Sequence, residues 1–389
     1  MAIGRRRFNL GLVGAAAVGG LGLGIGHARP SRPSYRGPNV ILVRFGGGVR
    51  RAETIVPATT FAPYLLNVLA ARGVLLRNVT IAQLKGVATS HAEGTLNLLS
   101  GRYMAYEKVG AHGLAPLLEP KQPLLFEHLR RTFDVAPHEA LVVNGEDRPQ
   151  EEYLTSGGHP HFGVAFRSEI IGLYRFKLHK LARILAEAKA PEHELKAAAK
   201  ELAKLKAIDY RGAAEVRSPV LERFWDSWRT HYGDSGLKNP RGDRLLTELA
   251  LRALRELKPR FMMVNYQDPD YVHWGNASHY TRAIAIIDQG LARLVAAVDA
   301  DPFYRNNTVF VVVPDCGRDA NPLMAVPYQH HFNSRSAHEI FAVVAGPRIA
   351  KDRVLDMPVD QTSIAATIGA IMGFRVPAAE GRALAEIMT

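Results

Sequence analysis

Runs of consecutive apolar residues alternate with helical patterns through most of the chain. Five runs rich in valine, isoleucine or phenylalanine are typical of strands that are buried on both faces, as in parallel sheets. Between them, apolar residues recur every three or four positions, which is typical of amphipathic helices. The sequence therefore predicts an α/β fold with a mostly parallel central sheet flanked by helices. The predicted strands are NVILVR, ALVVNG, RFMMVNYQD, NTVFVVVPD and EIFAVVAGPRI.

One long region departs from this alternation. Residues 167–257 are strongly helical and highly charged, so we expect a helical insertion or cap inside a domain that spans residues 39–389. Elsewhere, FAPYLLNVLAARG predicts a helix closed by Gly73, and TSHAEGTLNLLSGRY predicts a capped loop that leads into a helix. The late stretch QTSIAATIGAIMGF predicts a helix that ends near Gly373.

The first residues have the features of an export signal. Arg5–Arg7 precede Phe8, as in a twin-arginine signal, and a glycine- and alanine-rich apolar stretch follows from Leu10 to Ile25. Small residues at Gly26–Ala28 suit cleavage, so residues 1–28 are predicted to be a signal peptide for the twin-arginine export machinery, and residues 29–38 a linker. The alternative is an uncleaved membrane anchor. Both predict an exported protein, periplasmic or extracellular.

The composition is that of an ordinary globular protein. Of 389 residues, 47% are hydrophobic and 22% charged, which is enough for a large core. The net charge is +12, but many of the basic residues lie in residues 174–207, where Lys and Glu alternate at helical spacing. This pattern indicates a solvated helix face rather than specific nucleic-acid binding. The single cysteine excludes an internal disulfide.

Residues that commonly bind metals concentrate in three segments next to predicted strands. Carboxylate and imidazole together suit zinc, manganese or iron, whereas calcium and magnesium favour oxygen ligands alone. The sequence therefore predicts a site for one or two divalent metal ions. The segments are NYQDPDYVHWGN with Asp268, Asp270 and His273, PDCGRD with Asp315, Cys316 and Asp319, and YQHHFNSRSAHEI with His330, His331 and His338.

The order of these segments resembles the alkaline phosphatase superfamily, which includes sulfatases, phosphodiesterases and metal-dependent phosphomutases. NVILVRFGGGVR resembles its first strand, TSHAEGTLNLLSGRY its nucleophile segment and DPDYVHWGN its Asp…His metal segment. VVVPDCGRD resembles its Asp-His-Gly segment, SAHEIFAVVAGPRI its last metal histidine, and VDQTSIAATIGAIMGFRVPAAEGRAL its closing helix and tail. The resemblance covers residues 39–389 apart from the helical region, and it implies an alkaline-phosphatase-like fold.

The resemblance also implies metals on both sides of a transferred phosphoryl or sulfuryl group. One of the family's two sites is retained here, with His273, His338 and either Asp268 or Asp270 as ligands. His330 and His331 are candidates for extra ligands or for substrate binding, and the alternative is that they are solvated loop residues.

The other site of the family is altered in this chain. Gly47–Arg50 stand where the family has Asp-Gly-x-Arg, and Asp315–Gly317 have cysteine in place of histidine. Cys316 is either a thiolate ligand or a small buried residue, and in both cases it marks a remodelled second metal site. Glu53 either replaces the missing carboxylate or is an exposed loop residue.

The position of the nucleophile is ambiguous in the sequence. The family's usual spacing from Gly101 falls on His91, and a one-residue insertion would place Ser90 there instead. An activated hydroxyl would be an ordinary nucleophile. The candidates for the catalytic position are Thr89, Ser90 and His91, and those for holding substrate oxygens are Arg50, Arg102 and Arg318.

These expectations favour an exported metal-dependent hydrolase or transferase that acts on a small-molecule or polymer phosphate or sulfate ester. The sulfatase signature Cys-x-Pro-Ser-Arg is absent, so the sequence favours a phosphoesterase. The first alternative is a catalytically decayed binding or scaffold protein on the same fold. The second is a basic protein that adsorbs to polyanions through its surface charge.

Overall fold

The computed structural model describes residues 32–112, 115–145, 151–152, 162–209, 218–233, 242–321, 323, 326–331 and 334–389. The predicted signal peptide at residues 1–28 lies outside the described residues. No helix within the described ranges is both long and apolar enough to cross a membrane.

A central sheet of nine strands organises the described part of the chain. The strand order is β10-β2-β9-β8-β1-β7-β5-β6, and β11 pairs with β2. Only β9 runs antiparallel to its neighbours, β2 and β8, among the strand pairs described in this sheet. A separate antiparallel hairpin consists of β3 and β4. The strands are β1 Asn39–Arg44, β2 Gly73–Thr80, β3 Tyr106–His112, β4 Ala115–Pro120, β5 Ala140–Val143, β6 Glu169–Ile171, β7 Phe261–Asn265, β8 Thr308–Val313, β9 Glu339–Ala345, β10 Arg353–Leu355 and β11 Val359–Asp360.

Helices cover both faces of the sheet, as the apolar strand sequences predict. Ile41 and Val43 of β1 belong to one hydrophobic core, and Val40 and Leu42 belong to the other. Because successive side chains of a strand point to opposite faces, a strand buried on both sides reads as a continuous apolar run. The described α-helices are α1 His91–Ser100, α2 Leu125–Thr132, α3 Leu173–Glu187, α4 Glu192–Ala207, α5 Pro219–Tyr232, α6 Asp243–Glu256, α7 Ala277–Ala300, α8 Arg335–His338 and α9 Ser363–Met372.

The two capped helices are confirmed by the structure. Ser90 is the N-cap of α1, and Gly101 ends it with a φ of 70°. Gly373 ends α9 with a φ of 79°. A backbone with positive φ favours glycine because it has no Cβ to clash with the neighbouring carbonyl. Both ends therefore follow from local sequence alone.

Three stretches differ in detail from the predictions. Residues 167–257 include α3 to α6, but the short strand β6 at Glu169–Ile171 also lies in this predicted helical region. The segment before Gly73 has a π-helical turn at Leu65–Leu69 and a 3-10 turn at Ala70–Arg72. In the predicted linker, Tyr35 is buried and packs edge-on against Phe133, with ring centroids 5.1 Å apart. Residues 32–38 therefore pack against the domain.

Candidate metal centre

Four segments meet at one edge of the central sheet. The parallel strands β1, β7 and β8 end at this edge, and β9 begins there because it runs antiparallel to β8. The helix α1 also begins there, since its first residue, His91, contacts Asp315 just after β8. This edge is where α/β proteins place their ligand sites. The structure therefore brings the predicted metal segments to the start of α1.

Asp270 lies at the centre of a group with His91, His273 and His330, which we call the Asp270 cluster. Its Oδ1 atom is 2.5 Å from His91 Nε2 and 3.1 Å from His273 Nε2. The Nε2 atom of His330 is 3.4 Å from the same oxygen. The ligand atoms of His91, Asp270 and His330 all lie within 4.8 Å of one another. Three imidazole nitrogens thus face one carboxylate oxygen.

The hydrogen bonds of His330 fix the direction of its lone pair. Its Nδ1 donates to the Thr89 carbonyl at 2.8 Å, and the Thr89 hydroxyl donates to the His330 carbonyl. A neutral imidazole has only one N–H, so Nε2 carries the lone pair. This buried atom has no hydrogen-bond partner among the described residues. It faces Asp270, and a cation between the two electron-rich atoms would remove their repulsion.

A second group lies on the other side of His91, and we call it the Asp315 group. It consists of Asp315, Cys316 and the buried Arg44. Asp315 Oδ2 is 2.8 Å from His91 Nδ1 and 3.4 Å from Arg44 Nη1. Asp315 Oδ1 accepts the backbone N–H of Cys316 at 2.9 Å. The Cys316 Sγ atom is 3.9 Å from His91 Nδ1. His91 therefore connects the two groups, one ring nitrogen to each.

The charges of the two groups shift several pKa values. Burial alone would lower the pKa of His91, but the Asp315 carboxylate and Cys316 raise it to about 9. Burial opposes ionisation of Asp315, yet His91 and Arg44 hold the pKa of its carboxyl well below the usual range. Burial and the charges of His91 and His331 lower the pKa of His330. Burial and Asp315 raise the pKa of the Cys316 thiol. Without a metal, His91 is thus an imidazolium between two carboxylates.

The glycine loop after β1 passes against both groups. Gly47 and Gly48 have φ values of 84° and 67°. A Cβ on Gly47 would stand 2.5 Å from the Asp270 amide nitrogen, and one on Gly48 would stand 3.2 Å from the Cys316 sulfur. Backbone conformation and crowding therefore both favour glycine where the resembled motif has aspartate. Glu53 forms an ion pair with Arg50 and belongs to neither of the groups that could hold a metal ion among the described residues.

Both candidate hydroxyls contact the local backbone. The Thr89 hydroxyl is buried and donates to the His330 carbonyl. The Ser90 side chain caps α1 by accepting from the Glu93 N–H at 3.4 Å. Of the three candidates for the catalytic position, His91 is the one whose described contacts are with the Asp315 and Asp270 carboxylates.

The structure separates the two candidate carboxylates of the retained site. Asp270 lies in the cluster, whereas Asp268 Oδ1 accepts the backbone N–H of Asp243 at 3.1 Å, at the start of α6. Asp243 is itself buried and accepts the Asp268 N–H at 2.7 Å. Burial and the nearby Asp268 raise the pKa of Asp243 well above its usual value. Asp268 thus caps a helix.

The three candidate arginines do not point free donors at the cluster. Arg50 pairs with Glu53 through Nη2 at 2.6 Å, and its guanidinium lies near the Tyr280 and Tyr328 rings. Arg102 is half-exposed, past the far end of α1 from His91, with its Nε 3.4 Å from Glu380. Arg318 is fully buried, and its three nitrogens donate to the carbonyls of Gly47, Gly48, Pro269, Val272 and Tyr328. The hydrogen bonds of Arg318 therefore connect the glycine loop to the segments that contain Pro269, Val272 and Tyr328.

Two other candidate histidines, His338 and His331, lie outside the Asp270 cluster. His338 is buried, and its Nδ1 donates to the Ile81 carbonyl at 3.0 Å, but it is in neither ligand group found among the described residues. His331 is exposed, with its ring centroid 3.9 Å from that of His330. Asp319 is buried, and its Oδ1 accepts the Ser334 hydroxyl.

A buried polar network beneath the site was not predicted from the sequence. Arg44 Nη1 donates to Thr95 Oγ1 at 2.5 Å and lies 3.5 Å from Glu151 Oε2. Glu151 also accepts from Asn265 Nδ2 at 3.3 Å, and Asn265 from β7 stands beside Arg44 in the sheet register. The sequence feature that could have indicated this network is the arginine, Arg44, at the end of the apolar run NVILVR.

The residues present fit a divalent cation. The Asp270 cluster offers the lone pair of His330, a carboxylate, and a second imidazole ligand when His91 gives up its Nε2 proton, a set that suits zinc, manganese or iron. The unpartnered His330 Nε2 is the observation that favours a cation here rather than hydrogen bonds alone.

Comparisons with known proteins give the fold. No family model and no curated protein match the sequence. The alkaline phosphatase PafA has a similar structure, with a TM-score of 0.54 and 11% identity over 92% of this chain and 100% of that one. A putative sulfatase from Bacteroides thetaiotaomicron has a TM-score of 0.53 and 13% identity, over 90% of this chain and 73% of that one.

A protein of the alkaline phosphatase superfamily from Vibrio parahaemolyticus is also similar, with a TM-score of 0.51 and 13% identity over 90% of this chain and 71% of that one. Such identities establish a shared fold and no more. The mixed sheet, its helical layers and these neighbours agree: the chain has the fold of the alkaline phosphatase superfamily.

Proposed function

We propose that the protein is a divalent-metal-dependent hydrolase or transferase of phosphate or sulfate esters, with phosphate esters favoured. The observation that carries this proposal is the convergence of three imidazole nitrogens on the Asp270 carboxylate at the ligand-binding edge of the sheet. The structural neighbours with the same fold include an alkaline phosphatase and a putative sulfatase.

The surroundings of the cluster suit an anionic substrate. A bound cation supplies Lewis-acid stabilisation of charge on the oxygens of the transferred group. The N-terminus of α1, with His91 as its first residue, adds the favourable end of a helix dipole. The buried Asp315 holds His91 in orientation through Nδ1.

The engaged hydroxyls favour a single displacement by water. Thr89 and Ser90 serve the backbone, and both nitrogens of His91 face carboxylates. In the proposed reaction, a water oxygen bonds to the phosphorus or sulfur as the ester bond breaks. The water loses a proton, and the departing alkoxide gains one.

One observation favours the alternative of a catalytically decayed binding protein. The Asp315 carboxylate already has partners at both oxygens, and Gly47 brings no carboxylate to the second position. A protein on this fold that has lost turnover would retain the buried contacts and release no product.

A hydrolysis screen with two matched aspartate variants separates these functions. Phosphomonoesters, phosphodiesters and sulfate esters are offered to the wild type with metal and with chelator. We expect turnover that chelator abolishes and that Asp270→Asn reduces at least a hundredfold, since it removes a carboxylate from the cluster. Asp268→Asn changes a helix cap and should retain activity. Absence of turnover on every ester, with metal still bound, would favour the binding protein.

Export by the twin-arginine route is part of the same proposal. It rests on the sequence RRRF and the apolar stretch after it. Replacing Arg5 and Arg6 together by lysine should retain the protein in the cytoplasm while leaving its fold intact. Unchanged export of that variant would contradict the proposed route.

A further inference from the structure

We propose that this chain binds one cation, through His91, Asp270 and His330, and that the buried guanidinium of Arg44 takes the place of a second cation beside Asp315. This inference deepens the proposed function and rests on its requirement for a metal. The resemblance assigns the retained metal site to other residues, so His330 is not among the ligands that it implies. It also places His91 at the family's nucleophile position rather than at a metal ligand.

His330 is built as a ligand by its backbone contacts with Thr89. The imidazole Nδ1 donates to the Thr89 carbonyl, and the Thr89 hydroxyl donates back to the His330 carbonyl. Metal-binding histidines commonly donate their other ring N–H to a carbonyl or carboxylate, which fixes the ring and its tautomer. The free Nε2 of His330 is then 3.4 Å from Asp270 Oδ1.

His91 has the same arrangement with a different support. Its Nδ1 lies 2.8 Å from the Asp315 carboxylate, and its Nε2 points at Asp270. Asp315 thereby serves as the support of a ligand rather than as a ligand. Bond lengths of about 2.0 Å to zinc separate tetrahedral ligands by about 3.3 Å, close to the observed separation of His330 and Asp270.

The position of the altered second metal site, beside Asp315, already holds a positive charge on the Arg44 guanidinium. Arg44 is fully buried, and its Nη1 is 3.4 Å from Asp315 Oδ2 and 3.5 Å from Glu151 Oε2. Asp315 Oδ1 accepts the Cys316 N–H, so the carboxylate has a partner at each oxygen. Cys316 is a buried thiol, and Gly47 offers no ligand. A second cation here would add charge beside a guanidinium in a low-dielectric interior, which is costly.

Cobalt(II) binding to the full chain tests this assignment without reference to turnover. Cobalt absorption reports ligand geometry, and elemental analysis of the same samples reports stoichiometry. We expect one cobalt per chain, at least tenfold weaker binding in His330→Ala, and unchanged binding in His331→Ala, the exposed neighbouring histidine. Cys316→Ser should keep the wild-type stoichiometry and spectrum.

The wild-type spectrum gives a second measurement that needs no variant. A thiolate-to-cobalt charge-transfer band, two cobalt ions per chain, or unchanged affinity in His330→Ala would each overturn the inference. One cobalt per chain with no ester turnover would support the inference while contradicting the proposed function. Turnover that requires two cations per chain would support the proposed function while overturning the inference.

Discussion

Replacing Gly47 by aspartate restores, in the sequence, the carboxylate that the resembled first-strand motif has. If the second site had been lost through this residue alone, the Gly47→Asp variant would recover a ligand. The structure predicts the opposite result, because the backbone at Gly47 has a φ of 84° and a Cβ there would stand 2.5 Å from the Asp270 amide nitrogen.

The size of the effect follows from two separate costs. A side chain in the left-handed region costs about 1–2 kcal/mol. Forcing the Cβ into the packed loop around Asp270 costs a further 1–3 kcal/mol or so, as overpacking does in cores. Gly373 isolates the first cost, because it lies in the left-handed region with a φ of 79°, and an added Cβ there would meet only Phe133 Cζ at 3.8 Å, an ordinary van der Waals distance. Gly47→Asp should therefore destabilise by about 1–3 kcal/mol more than Gly373→Asp.

Urea unfolding of the two variants, measured beside the wild type, gives this difference in the free energy of unfolding. Cobalt binding to Gly47→Asp gives the second readout, and we expect weaker binding because Asp270 is displaced. The reasoning is refuted if Gly47→Asp is as stable as Gly373→Asp and binds one more cobalt ion per chain than the wild type.

Three further predictions concern groups around the centre. The raised pKa of His91, about 9 in the folded state, stabilises the metal-free protein fully below pH 6.5, and this contribution is lost as the pH rises through 9. Chelator-treated wild type should therefore lose about 3 kcal/mol of unfolding free energy between pH 6 and 10, and a flat profile matching His91→Gln would contradict this. Asp268→Ala should lower the free energy of unfolding in urea by about 1 kcal/mol, because α6 loses its cap. Its cobalt content should be unchanged, and loss of cobalt would place Asp268 in the metal site. Arg318→Met should lower the free energy of unfolding by about 3 kcal/mol or more, since several buried carbonyls lose their donor. Arg102→Met, at a half-exposed arginine, should lower it by less than about 0.5 kcal/mol. Equal losses in the two variants would refute the buried role of Arg318.

The fold was accessible to sequence reasoning because its signals are local. Apolar runs such as NVILVR predict strands buried on both faces, and β1 has this burial. The serine cap and the terminal glycine of α1 predict its bounds. The short strand β6 was missed, since three residues give too little periodicity to distinguish a strand from a helix.

The sequence by itself determined the α/β architecture, the helix ends and the set of metal-binding residue types near the strand ends. Only the tertiary structure decided which of them meet. Asp268 and Asp270 are two residues apart, yet one caps α6 and the other faces three histidines. Spacing cannot distinguish them, because their roles depend on segments that are distant in the chain. The same holds for Arg44, whose partners Thr95, Glu151 and Asp315 come from other elements.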